Sequence, residues 1–246
     1  MDHIIVFGKS FQEHVDRLDA VWNRLRSANL KLKPSKCCLF QRSVTFLGHV
    51  ISGEGLAPDP EMTSAVAAWP VPRNLQEVRS FVGLCSYYRR FIRGFATIAA
   101  QLRDLTRKGC TFSCSRNCQD AFGELKKCLT SQPVVGIFRN EGELYVDTDA
   151  SNEGLGAVLS QEQDGEIRVL VYASRTLTQP ERRYNTTRKE LLAVVYGLKQ
   201  FKQYLLGPQF VLRTDHAALR SWRRTPEPRG QQGRWLDLIE QFTFTI

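Results

Sequence analysis

The chain has 246 residues, 42% of them hydrophobic, enough for one large domain or two modest ones with a real core. Its formal charge of +9 and pI near 9.4 favour phosphate-rich partners, although a basic protein without a particular ligand would carry the same charge. No apolar run of about 18 residues and no charged segment leading into an apolar one occurs, which argues against membrane association and secretion and for an intracellular protein, cytoplasmic or nuclear.

The predicted elements begin with an amphipathic helix over 11–28, where Phe11, Val15, Leu18, Val21, Trp22 and Leu25 recur at helical spacing. A short strand is expected over Val44 to Ile51, ended by Ser52-Gly53-Glu54-Gly55. Pro58, Pro60, Pro70 and Pro72 then punctuate a connector that holds one helical segment, about Glu61 to Trp69. The block from Leu75 to Leu105 mixes aromatic and basic residues. Between Pro72 and Gly109, eight basic residues (Arg73, Arg79, Arg89, Arg90, Arg93, Arg103, Arg107, Lys108) face two acidic ones (Glu77, Asp104). Stacking area next to guanidinium groups is the pairing a nucleic-acid groove needs. Phe81, Phe91 and Phe95 read better as core, and Arg89 and Arg90 as phosphate contacts.

Seven cysteines, an odd number, argue against a disulfide framework. Cys110, Cys114 and Cys118 recur every four residues, but no distant Cys or His pair completes a zinc set, so the thiols read as reduced and structural. An amphipathic helix follows over Gln119 to Leu129. Leu144-Tyr145-Val146 then leads as a strand into Asp147-Thr148-Asp149, with further strands at Gly156–Ser160 and Arg168–Ala173. A helix over Thr187 to Leu206 and a strand over Phe210 to Thr214, ending at Asp215, complete an order that predicts a mixed sheet covered by helices.

Three acids stand where such a fold gathers sites: Asp149 at a strand end, Glu190 in the first turn of a helix, Asp215 at a later strand end. Carboxylates brought together repel unless cations neutralise them, and hard oxygen donors select Mg²⁺ or Mn²⁺. Spacing alone is weak evidence. Thr187 and Glu190 also fit a capping box, and Asp215 fits a cap for a helix starting at His216.

Four ordered blocks sharpen the reading. Thr148-Asp149-Ala150-Ser151-Asn152-Glu153-Gly154-Leu155-Gly156-Ala157-Val158-Leu159-Ser160-Gln161, Tyr172-Ala173-Ser174-Arg175-Thr176-Leu177, Lys189-Glu190-Leu191-Leu192-Ala193-Val194 and Arg213-Thr214-Asp215-His216-Ala217-Ala218-Leu219 resemble the ribonuclease H domain of gypsy-type LTR retrotransposon polyproteins. The resemblance implies that Asp149, Glu190 and Asp215 are catalytic acids holding two Mg²⁺ or Mn²⁺ ions, ~4 Å apart, for hydrolysis of the RNA strand of an RNA–DNA hybrid. Asp147 has no counterpart in the pattern. The family's fourth acid lies on a helix after the last strand. Here Arg234–Ile239 resembles the helix before that strand, Phe242–Ile246 resembles its first half, and Asp237 is not a substitute.

Upstream, Phe46-Leu47-Gly48-His49-Val50, Trp69-Pro70-Val71-Pro72 and Ser80–Ile92 are similar to the palm end and thumb of the same reverse transcriptases. The resemblance points to Arg79, Tyr87, Arg89, Arg90 and Arg93 as nucleic-acid contacts. Met1–Phe7 resembles a polymerase motif entered midway, with Asp2 at its first Asp and His3 in place of the second, so polymerase activity is not expected. The expected organisation is a palm end over 1–56, a helical thumb over 57–110, a connecting helix over 111–140 and an incomplete α/β ribonuclease H-like domain over 141–246, with the rest of a Pol polyprotein as a partner. A non-catalytic nucleic-acid-binding remnant and the product of a decayed reading frame are the alternatives.

Overall fold

A computed structural model of the chain describes residues 4–107, 112–113, 115–131, 133–214 and 230–246. The chain forms two compact units, Met1–Gly53 and Glu54–Ile246.

In the first unit, helix α1 (Phe11–Ser27) starts at Ser10, whose hydroxyl accepts the Glu13 N–H. Leu18 is its buried residue. The single strand expected over 44–51 is instead a hairpin. Strands β1 (Ser43–Phe46) and β2 (His49–Ser52) pair antiparallel, with Phe46 opposite His49. Leu47 and Gly48 both adopt positive φ, 47° and 69°, the conformation of a two-residue turn whose twist matches the strands.

The second unit opens with strand β3 (Gly55–Pro58), which the Gly-rich sequence had marked only as a turn. Leu56 and Val135 exchange both backbone hydrogen bonds, at 2.8 and 2.9 Å. At Gly55, with φ of 138°, a Cβ would stand 2.3 Å from the Val135 carbonyl oxygen, so glycine is required there. Helix α2 (Pro60–Ala68) is capped by Asp59, and α3 (Leu75–Tyr87) by Asn74. The Arg89–Phe91 turn, α4 (Phe95–Ile98), α5 (Ala100–Leu105) and α6 (Arg116–Thr130) follow. Phe81, Phe91 and Phe95 are buried together with Val78, Cys85, Leu102, Leu125 and Leu129, the core role their spacing indicated. Cys118 belongs to the same core. Cys110 and Cys114 lie outside the described residues.

The remaining elements build the sheet: β4 (Leu144–Ala150), β5 (Gly154–Gln163), β6 (Glu166–Thr176), α7 (Gln179–Arg182), α8 (Thr186–Gln200), α9 (Lys202–Leu205), β7 (Phe210–Arg213), α10 (Gln231–Ile239) and β8 (Phe244–Thr245). The strand order is β6-β5-β4-β7-β8. Strands β4, β5 and β6 are antiparallel neighbours, while β7 runs parallel to β4 and β8 parallel to β7. This is the mixed, helix-covered sheet that the order of elements predicts. The helix expected to run to Leu206 breaks at Phe201, where φ and ψ leave helical values.

Candidate active site

Asp149 lies one residue from the end of β4 and is exposed. Its strand neighbour Thr148 is buried, because alternation turns Leu144, Val146 and Thr148 inward. Asp147 shares the outer alternation with Asp149, but it is committed elsewhere. It stands opposite Arg213 in the parallel pair β4–β7 and accepts the Arg213 guanidinium at 2.7 Å.

Glu190 lies in the second turn's approach of α8 and is only 5% exposed. The capping box that Thr187 and Glu190 also fit is not the cap observed. The helix starts one residue earlier, its N-cap is Asn185, and the Asn185 side chain accepts the Arg188 N–H at 2.9 Å. The capping box of this region sits instead at Thr178 and Glu181, at the start of α7.

Two contacts tie the helix of Glu190 to the strand of Asp149 and to the turn that follows it. Helix α8 lies close against β4 and β5 at Gly197, where an added Cβ would meet Ala157 and Thr148 side-chain carbons at 3.2 Å. Beside Glu190, the Lys189 ammonium donates to Asn152 Oδ1 at 2.8 Å, in the turn that follows Asp149. The third expected acid, Asp215, lies outside the described residues, as do His216 and Asp2. Strand β7 is described to its end at Arg213. Among the described residues no group of three or more His, Cys, Asp or Glu gathers. The two acids that are described offer only hard carboxylate oxygens, a donor type that fits Mg²⁺ or Mn²⁺ rather than a soft metal. Asp237, on α10, is exposed within a helix.

Of the residues expected to contact nucleic acid, Arg79, Arg89 and Arg93 are exposed. Tyr87 is 53% exposed and stands edge-on to the buried Tyr88, ring centroids 4.9 Å apart. Arg90 is half-buried, its guanidinium 5.9 Å from the centre of the Phe91 ring. Arg103 lies over Phe95 at 5.1 Å, and burial, then the nearby Arg89 charge, lowers its pKa.

Sequence reasoning missed two features near the acids. One is Lys189, which on a helix start reads as a solvated side chain but is buried. The other is the pair Arg175–Glu181, bidentate at 2.7 and 2.9 Å, with Arg175 also 5.6 Å from the Tyr196 ring.

Residues 140–242 match the family described as the RNase H-like domain found in reverse transcriptase. Over 247 residues the chain is 36% identical to the retrovirus-related Pol polyprotein from transposon 297 of Drosophila melanogaster, covering 100% of this chain and 23% of that protein. It is 35% identical over 255 residues to the corresponding polyprotein from transposon gypsy of the same organism, covering 98% of this chain and 24% of that one. The chain thus spans about a quarter of the length of these curated relatives. Among solved structures, the foamy viral protease-reverse transcriptase dRH in complex with ds DNA superposes with a TM-score of 0.80 at 24% identity, over 97% of this chain and 44% of that one. That likeness extends the shared fold to the helical region upstream of the sheet.

Proposed function

Residues 140–242 form an RNase H-like domain of the kind found in reverse transcriptase, in a chain related along its length to retrotransposon Pol polyproteins, and from that premise we propose that it hydrolyses the RNA strand of RNA–DNA hybrids. What supports the reading is an exposed acid, Asp149, near the end of β4, and a buried acid, Glu190, on the helix whose Lys189 reaches Asn152 in the turn after Asp149. Asp149, Glu190 and Asp215 would hold Mg²⁺ or Mn²⁺. Divalent cations there supply an activated water and neutralise charge developing on the phosphodiester. The chain's own contribution would be placement: Asp149 is exposed near the end of β4, and Glu190 is held buried on α8. The exposed Arg79, Arg89, Arg93 and Tyr87 would carry the backbone of the bound hybrid.

The test is cleavage of an end-labelled RNA–DNA hybrid in Mg²⁺ and in Mn²⁺. Asp149→Asn and Glu190→Gln are each expected to lower the rate by roughly 10²–10³-fold, the scale of losing one preorganised electrostatic contact. An intact hybrid with the unsubstituted protein in both metals overturns the proposal. Hybrid binding without cleavage would favour the alternative of a non-catalytic binding protein, which the exposed arginines alone would sustain.

A further inference from the structure

The first two turns of α8 hold a second buried charge next to Glu190. Lys189 is 7% exposed, and its ammonium donates to Asn152 Oδ1 at 2.8 Å. It forms no ion pair with a carboxylate among the described residues. A buried ammonium matched only by a neutral amide costs desolvation that an apolar side chain of similar shape would not. Fold stability therefore does not account for a lysine at this position.

Its partner explains it better. Asn152 occupies the β4–β5 turn, three residues after Asp149, and that turn is held tightly. Ser151 Oγ accepts the Glu153 and Gly154 N–H groups at 3.2 and 2.9 Å, the Ser151 N–H donates to the Gly154 carbonyl at 2.9 Å, and the Leu177 N–H donates to the Glu153 carbonyl at 2.8 Å. The Lys189–Asn152 bond thus joins the neighbour of Glu190, on α8, to a rigid turn that continues directly from Asp149, on β4. No other side-chain hydrogen bond among those described links this turn to that helix.

We propose that Lys189 and Asn152 form a positioning clamp that sets the separation of the Asp149 and Glu190 carboxylates for a shared divalent cation. The inference rests on the reading of those two acids as metal ligands. Neither clamp residue is a ligand; both act through the acids beside them. The lysine's charge and its reach have opposite effects. Charge alone would repel an incoming cation, so its loss would tighten binding, whereas loss of the clamp would loosen the ligand pair and weaken binding. Asn152→Ala separates the two, because it removes the clamp and leaves the ammonium in place.

Mn²⁺ binding to the full chain, measured by titration calorimetry, tests this. Asn152→Ala is expected to raise the Mn²⁺ dissociation constant about tenfold, the lower end of what losing an outer support of a metal ligand costs. It should lower kcat on hybrid with KM unchanged, and lower the thermal midpoint, because the buried Lys189 ammonium loses its Asn152 acceptor. Asn152→Asp keeps the acceptor and is expected to bind Mn²⁺ at least as tightly as the unsubstituted chain. Lys189→Met should melt at or above the unsubstituted temperature. Unchanged Mn²⁺ affinity in Asn152→Ala overturns the clamp, as does a lowered melt for Lys189→Met, which would assign the lysine to the core. If the unsubstituted chain binds Mn²⁺ no better than Asp149→Asn, the metal reading itself falls, and the clamp with it.

Discussion

At Glu181 a carboxylate is gripped by both guanidinium nitrogens of Arg175 and by the Thr178 N–H, at 2.7, 2.9 and 2.8 Å. The Arg175 hydrogen bonds, opposed by partial burial and aided by Thr178, lower its pKa from 4.5 to about 2. A carboxyl whose folded pKa is depressed contributes stability that is fully present above its unfolded pKa and is lost as pH falls through the folded one. The contribution should therefore fade between about pH 4.5 and pH 2. Glu181→Gln is expected to cost about 1–2 kcal/mol at pH 7, after allowance for solvent screening, and to flatten the acid limb of the stability curve in that window. Thermal melts of both proteins from pH 7 to pH 2 check this; parallel curves would contradict it. At this scale the sequence was only partly legible. Asp149 and Glu190 could be placed because each sits at an element boundary that periodicity reveals. The Arg175–Glu181 pair and the burial of Lys189 could not, because a charged residue's partner across a turn or between a helix and a loop leaves no period in the sequence.

Helix α8 shows how an element, rather than a residue, builds the site. Its residues Leu191 to Val195 are buried in succession, so it is covered on more than one side: by β4 and β5, and on another by α10 through Trp235. Arg188 joins that second contact, 3.9 Å from the Tyr184 ring and 5.8 Å from that of Trp235. Gly197 permits the close approach to the sheet, with Thr148 and Ala157 carbons 3.2 Å from where its Cβ would be and Val146 at 3.7 Å. Gly197→Val would wedge α8 from β4, at a cost of about 1–3 kcal/mol by overpacking. Because Glu190 rides on α8 and Asp149 on β4, hybrid cleavage should fall further than stability does. Chemical denaturation and cleavage rates on one preparation measure both, and a variant with reduced stability but full activity would contradict the coupling. Elements with a clean period, such as α1, α6 and the strands of the sheet, were readable within a few residues. The β1–β2 hairpin was not, because Leu47 at its turn continues an apolar run and the turn depends on a positive φ that leucine rarely adopts. The break after Gln200 was hidden likewise, since Phe201 and Leu205 continue the apolar pattern of α8 into α9.

Across the larger unit, the helical region and the sheet are one packed body. Strand β6 serves both: Val169 packs against the helical core and Leu170 and Val171 against that of the sheet, while the Ala96 N–H donates to Ser174 Oγ at 2.8 Å. Charge on the helical part is therefore held at a fixed distance from the sheet. The arginines of that part divide by what their charge meets. Arg90 and Arg103 lie over Phe91 and Phe95, whereas Arg79, Arg89 and Arg93 are exposed and make no ion pair among the described residues. The second group is free to displace counterions from a phosphate backbone. Each phosphate neutralised on a duplex contributes about 0.9 to the slope of log affinity against log salt. Replacing Arg79, Arg89 and Arg93 together by Ala should therefore reduce that slope by up to about 2.7, weaken binding similarly for unrelated sequences, and leave folding intact because all three are exposed. Fluorescence anisotropy with labelled hybrid over a salt series measures the slope directly. An unchanged slope would place the phosphate contacts elsewhere on this +9 chain and detach the helical region from substrate binding.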